Sequence, residues 1–90
     1  RLGITNGFIV WLVNGNYIRN NVEIGFVQGG HDLVYRFIPR GQIWIDRDVR
    51  ESERRYVILH EVYERRLMSK GMSYSAAHRR ANKVEIRSRR

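Results

Sequence analysis

Between His60 and Glu85 the chain carries two of its three histidines and three of its nine carboxylates at helical intervals. His60 and Glu64 stand at i and i+4, with Glu61 between them. His78 follows Glu64 by fourteen residues, and Glu85 follows His78 by seven. Residues four apart share one face of a helix. Imidazole and carboxylate groups on facing helices are the donors a catalytic zinc ion takes, three from the protein with a fourth position left for water. In that arrangement His60, Glu64 and His78 are the ligands. Glu61, one residue after the first ligand, is the general base that takes a proton from water. Glu85 and His31 are candidates to support the ligands from behind. The same residues fit another reading, a buried polar patch that orders two helices. Glu61 and Glu64 would then pair with Arg65, and His78 would be a packing histidine. Spacing alone leaves both open.

The elements that must position these groups fall into two halves of one domain, 1–47 β-rich and 48–90 helical. In the first half, Phe8–Val13 reads as a strand, and Asn14-Gly15 as a hairpin turn into Tyr17-Ile18-Arg19. Val22–Val27 alternates in part and stops at Gly29-Gly30, read as a turn together with His31 and Asp32. Leu33–Ile38 ends at Pro39-Arg40-Gly41, and Gln42–Ile45 makes a last short strand. The expectation is an α+β fold in which a small antiparallel meander precedes a C-terminal antiparallel helical hairpin.

In the second half, Asp48 and Glu51 have capping-box spacing for a helix that runs to Lys70 and stops at Gly71. Asp46 is read as the end of a strand. Ser73 caps a second helix from Tyr74 to about Ser88. Tyr56, Leu59, Tyr63 and Leu67 form the inward stripe of the first helix, and Ala77, Ala81 and Val84 that of the second. With a short loop between antiparallel helices, His78 is expected opposite Glu64 and Glu85 near His60.

His60-Glu61-x-x-Glu64 with a downstream histidine resembles the zincin metallopeptidases, whose active helix carries HExxH with a third ligand on a later helix. The likeness implies an exchanged ligand set. Glu64 stands where the second histidine would be, and His78 where thermolysin-like members have a glutamate, with Glu61 in the place of the general base. The longer pattern Ile43-Trp-Ile-Asp46, HEVYE, Gly71-Met72-Ser73-Tyr74 and Ala77-His78, covering roughly residues 14–86, resembles a family of small phage and bacterial zincin-like domains. That resemblance implies a zinc-dependent hydrolase or peptidase acting on a peptide or protein.

Charge supports a different partner. The net charge is +8, of which residues 1–45 contribute +2 and residues 46–90 contribute +6. Arg79, Arg80, Lys83, Arg87, Arg89 and Arg90 are opposed locally only by Glu85. Such a surface attracts nucleic acid or an acidic protein, and defines an alternative in which the chain is a noncatalytic binding module. No aromatic residues are interleaved to stack bases, so any such binding would be nonspecific. A viral structural or assembly role is a further alternative. The chain has no cysteine, which excludes disulfides and thiolate metal sites. Phe8–Val13, the longest apolar run, is too short to span a bilayer. With no signal peptide visible, the expected location is cytoplasmic. The chain begins at arginine, so a truncated start is part of that expectation. No phosphate-binding loop, nucleophile elbow or zinc knuckle occurs.

Overall fold

A computed structural model describes all 90 residues. Its elements run β1 (Gly3–Thr5), β2 (Phe8–Val13), α1 (Gly15–Asn21), β3 (Gly29–His31), β4 (Gln42–Asp46), α2 (Glu51–Ser69) and α3 (Tyr74–Ser88). The fold is α+β, but the sheet is mixed rather than an antiparallel meander. Its strand order is β1-β2-β4-β3. β1 pairs antiparallel with β2 and β3 antiparallel with β4, whereas β2 lies parallel to β4, with Val10 opposite Ile43 and Leu12 opposite Ile45.

Three local expectations fail for physical reasons. Asn14-Gly15 does not turn a hairpin. Asn14 caps α1 by accepting the Tyr17 N–H through Oδ1, and Tyr17–Arg19 is helical. Asn is a favoured residue in both roles, as a turn residue and as an N-cap. Val22–Val27 and Leu33–Ile38 form no strands and pack as loops, with Phe26 and Ile38 buried. Gly29-Gly30-His31 is a strand rather than a turn, and its glycines answer to crowding. A Cβ on Gly29 would lie 2.9 Å from the Trp44 carbonyl oxygen, and one on Gly30 would lie 2.5 Å from the Tyr35 ring.

β4 is the central layer. Successive side chains of a strand face opposite sides. Ile43 and Ile45 therefore join Val10, Val57 and Val62 in a core between the sheet and α2. Trp44 packs on the other face against Ile18, Phe26 and Ile38. Burying each aliphatic side chain contributes roughly 1.5–3 kcal/mol. Asp46 ends β4 as expected and ties the layers together. It pairs with Arg19 of α1 at 3.0 Å, and its Oδ1 accepts the Asp48 N–H.

α2 begins without a side-chain cap, so the Asp48–Glu51 capping box does not form. Glu51 and Glu53 in the first turn interact favourably with the helix dipole instead. Gly71, at φ +101°, ends the turn after α2, and Ser73 caps α3 by accepting the Ala76 N–H. α3 folds back on α2, bringing Arg89 to Glu53, Glu85 to His60 and His78 to Glu64. Ala77 and Ala81 are fully buried. Tyr56, Leu59, Tyr63 and Leu67 are only half-buried. The buried positions of α2 are Val57, His60, Glu61, Val62 and Glu64. The inward face of α2 is thus partly polar, and it is the face that carries the candidate chemistry. No helix is long and apolar enough to cross a membrane.

Candidate metal centre

Glu64 is the hub of this face. It is 2% exposed, a burial that an ionised carboxylate tolerates only with partners. Oε1 lies 2.8 Å from His31 Nε2, and Oε2 lies 2.7 Å from His78 Nδ1 and 3.1 Å from His60 Nε2. The two imidazole nitrogens on Oε2 are themselves 3.3 Å apart. His60 and Glu64 converge because they are one helical turn apart, and His78 reaches them because the short turn at 70–73 folds α3 back.

His60, Glu64 and His78 therefore bring one donor atom each to a triangle with edges of 2.7, 3.1 and 3.3 Å. Around an ion held tetrahedrally at about 2.0–2.1 Å, neighbouring donors lie about 3.3 Å apart. Three lone pairs converging this closely repel unless a positive centre, whether protons or a cation, lies among them. The donor set, two imidazoles and a carboxylate, suits zinc. The donor chemistry fits that ion, and the edges from His60 come close to its spacing, whereas the Glu64–His78 edge of 2.7 Å has the length of a hydrogen bond.

The surroundings complete the picture. Glu61 is buried beside His60, its Oε2 4.0 Å from Nε2. His60 Nδ1 approaches Glu85 Oε1 to 3.1 Å, but the direction does not satisfy a hydrogen bond, and Nδ1 is buried without a hydrogen-bond partner. The Tyr74 ring leans on His78, with centroids 5.3 Å apart. The group opens onto a half-open cavity of about 440 Å³. Its lining mixes apolar side chains, among them Val27, Val34 and Val57, with the polar groups of Glu61, His78, Asn82 and Glu85.

The two glutamates are driven apart electrostatically. Burial by itself would raise Glu64, but hydrogen bonds from His31, His60 and His78 overcome it and bring its pKa down to about 2. Glu61 is pushed up to about 8, by burial first and then by the charge of Glu64, with His60 opposing. Burial would lower His60, yet the Glu64 hydrogen bond and the charges of Glu61, Glu64 and Glu85 raise it. Two carboxylates about one turn apart are thus pushed in opposite directions, an arrangement that suits one to ligation and the other to proton transfer.

Of the candidate residues, His31, His60, Glu61, Glu64, His78 and Glu85 meet here. His31 is fully buried in β3. Tyr35, Tyr74 and Asn82 were missed as wall residues. Tyr74 and Asn82 flank His78 at i−4 and i+4, so helical spacing pointed to both, whereas nothing local marked Tyr35. Arg79, Arg80, Lys83 and Arg87 are exposed and make no ion pair. Arg89 does not belong with them. It bonds Glu53 at 2.6 Å and Glu85 at 3.0 Å, and stacks over Tyr56. Comparison of the chain with models of known protein families, with curated proteins and with solved structures finds no match.

Proposed function

We propose that the chain is a minimal zincin-like domain that binds one zinc ion through His60, Glu64 and His78 and acts as a hydrolase on a peptide or protein. The observation that carries this reading is the convergence of three donors, with edges of 2.7, 3.1 and 3.3 Å, in the lining of a half-open cavity with buried Glu61 alongside. Zinc, when bound, supplies Lewis acidity toward water and a carbonyl oxygen. The chain supplies the rest. Glu61 stands within reach of the triangle and takes the proton from attacking water, then returns it to the leaving group. Positive charge at the triangle favours the ionised form that this base requires. The apolar lining of Val27, Val34 and Val57 holds an apolar part of the substrate.

Metal analysis of protein purified without chelator tests the reading. One equivalent of zinc is expected in the wild type, with His60→Ala or His78→Ala lowering affinity at least a hundredfold. Absence of stoichiometric zinc, together with unchanged affinity in His60→Ala, overturns it.

A second reading rests on a separate observation. At about 100° per residue, Arg79, Arg80, Lys83 and Arg87 fall within one arc of about 100° on α3, rising about 12 Å along it. All four are exposed and unpaired. This stripe fits a polyanion such as a nucleic-acid backbone. Neutralising all four is expected to abolish low-salt binding to DNA or RNA and to flatten its salt dependence. No binding of either polymer by the wild type at low salt removes this reading.

A further inference from the structure

A second group of donors, His31, Glu61 and Glu64, also lies within 4.8 Å of one another. It invites the idea of another ligand set, with Glu64 bridging two ions. The hydrogen bonding of His31 argues otherwise. The Leu33 N–H donates to His31 Nδ1 at 3.3 Å. A backbone N–H can only donate, so Nδ1 carries a lone pair and the ring hydrogen sits on Nε2. That nitrogen is the one facing Glu64 Oε1 at 2.8 Å. With Nδ1 held as an acceptor, that hydrogen has no other ring nitrogen to move to, so Nε2 of His31 donates and does not ligate.

From this geometry we infer that His31 is a positioning residue, which acts through Glu64 by committing Oε1 to a hydrogen bond so that Oε2 alone faces His60 and His78. The inference rests on the zinc-binding reading for its functional meaning, and adds a division of labour between the two oxygens. Carboxylate ligands are characteristically held by such outer partners, whose loss weakens metal binding about 10–100-fold. A second contact fixes the register. The next residue on each side, Asp32 and Arg65, forms a two-pronged pair with both bonds at 3.0 Å. His31–Glu64 and Asp32–Arg65 are thus consecutive rungs between the end of β3 and α2. The lower rung is closed by the Gly41 N–H on Asp32 Oδ2, and the Arg65 guanidinium lies over the Phe8 ring. With His31 removed, nothing else in the structure occupies Oε1, and Glu64 is free to turn both oxygens toward the imidazoles.

The test uses the full chain with His31→Ala and His31→Gln, zinc affinity measured by chelator competition, and the visible spectrum of the cobalt-substituted protein. Imidazole nitrogen NMR reports which ring atom of His31 bears hydrogen. The wild type is expected to keep the Nε2 hydrogen with and without zinc. His31→Ala should weaken zinc 10–100-fold and lower the cobalt absorption as coordination number rises. His31→Gln, whose amide N–H can still donate to Oε1, should recover most of both. Zinc affinity in His31→Ala within twofold of the wild type overturns the inference. So does loss of the Nε2 hydrogen on zinc loading with no rescue by Gln, which would make His31 a ligand. Failure of the wild type to bind zinc counts against the metal reading, and the NMR of the metal-free chain still decides whether His31 donates to Glu64.

Discussion

Glu61 and Glu64 differ by about one helical turn and by what surrounds them, and in the proposed centre that difference separates holding a cation from moving a proton. Glu61→Gln preserves shape and removes the base. It is expected to leave zinc affinity within a few-fold of the wild type while hydrolysis of a peptide substrate falls about 10²–10⁴-fold, the usual contribution of a general base. A parallel loss of zinc affinity and activity would instead make Glu61 part of the binding set. At this scale the sequence was legible wherever a helix did the positioning. His60, Glu64, His78 and Glu85 declared themselves through i+4 and i+7 intervals. His31 did not, because its partner is 33 positions away and reaches it across a sheet edge. Only the packing of β3 on α2 brings it to Glu64.

Gly30 illustrates how an element can conceal its nature. The Gly-Gly pair looks like a break, yet the residues pair with Trp44 and Ile45, and their missing side chains make room for the Tyr35 ring and a carbonyl oxygen. Gly30→Ala is expected to push β3 against Tyr35 and cost about 1–3 kcal/mol as overpacking. That should lower the melting temperature by roughly 4–8 °C for each kcal/mol. Thermal unfolding followed by circular dichroism checks it, and an unchanged midpoint would mean that Tyr35 yields freely. α2, α3 and β4 were legible because their periodicity spans whole elements and Gly71 and Ser73 mark the boundary. α1 and β3 were not, since Asn14 suits a cap as well as a turn and crowding by distant residues leaves no local trace. The parallel β2–β4 pairing was equally hidden. The segment between them, residues 14–41, reads as hairpins only if each apolar run is taken for a strand.

Across the whole molecule the Asp32–Arg65 pair ties the sheet to α2, and it carries a pH signature. Burial by itself would raise the Asp32 carboxyl, but the Arg65 hydrogen bonds and the Gly41 N–H hold it below its ordinary value. A carboxyl lowered on folding adds stability above its unfolded pKa, about 3.9. That increment is lost as pH falls through the depressed folded value. Asp32→Asn is therefore expected to cost about 1.5–3 kcal/mol near pH 7, as for a hydrogen bond to a charged group. Its urea midpoint should draw closer to the wild type's below about pH 4. A gap independent of pH would show that the pair contributes through shape alone. The mixed sheet has a further consequence. Every candidate metal-centre residue lies between 31 and 85, and β1 and β2 supply none, yet β2 covers one whole side of β4 from Gln42 to Asp46. Stripped of residues 1–13, β4 would present an open row of amide and carbonyl groups, with Ile43 and Ile45 uncovered on the side of Val10, a template for other chains. The first two strands thus guard against self-association, and a chain cut after Val13 should be recovered as aggregate rather than as a smaller monomer.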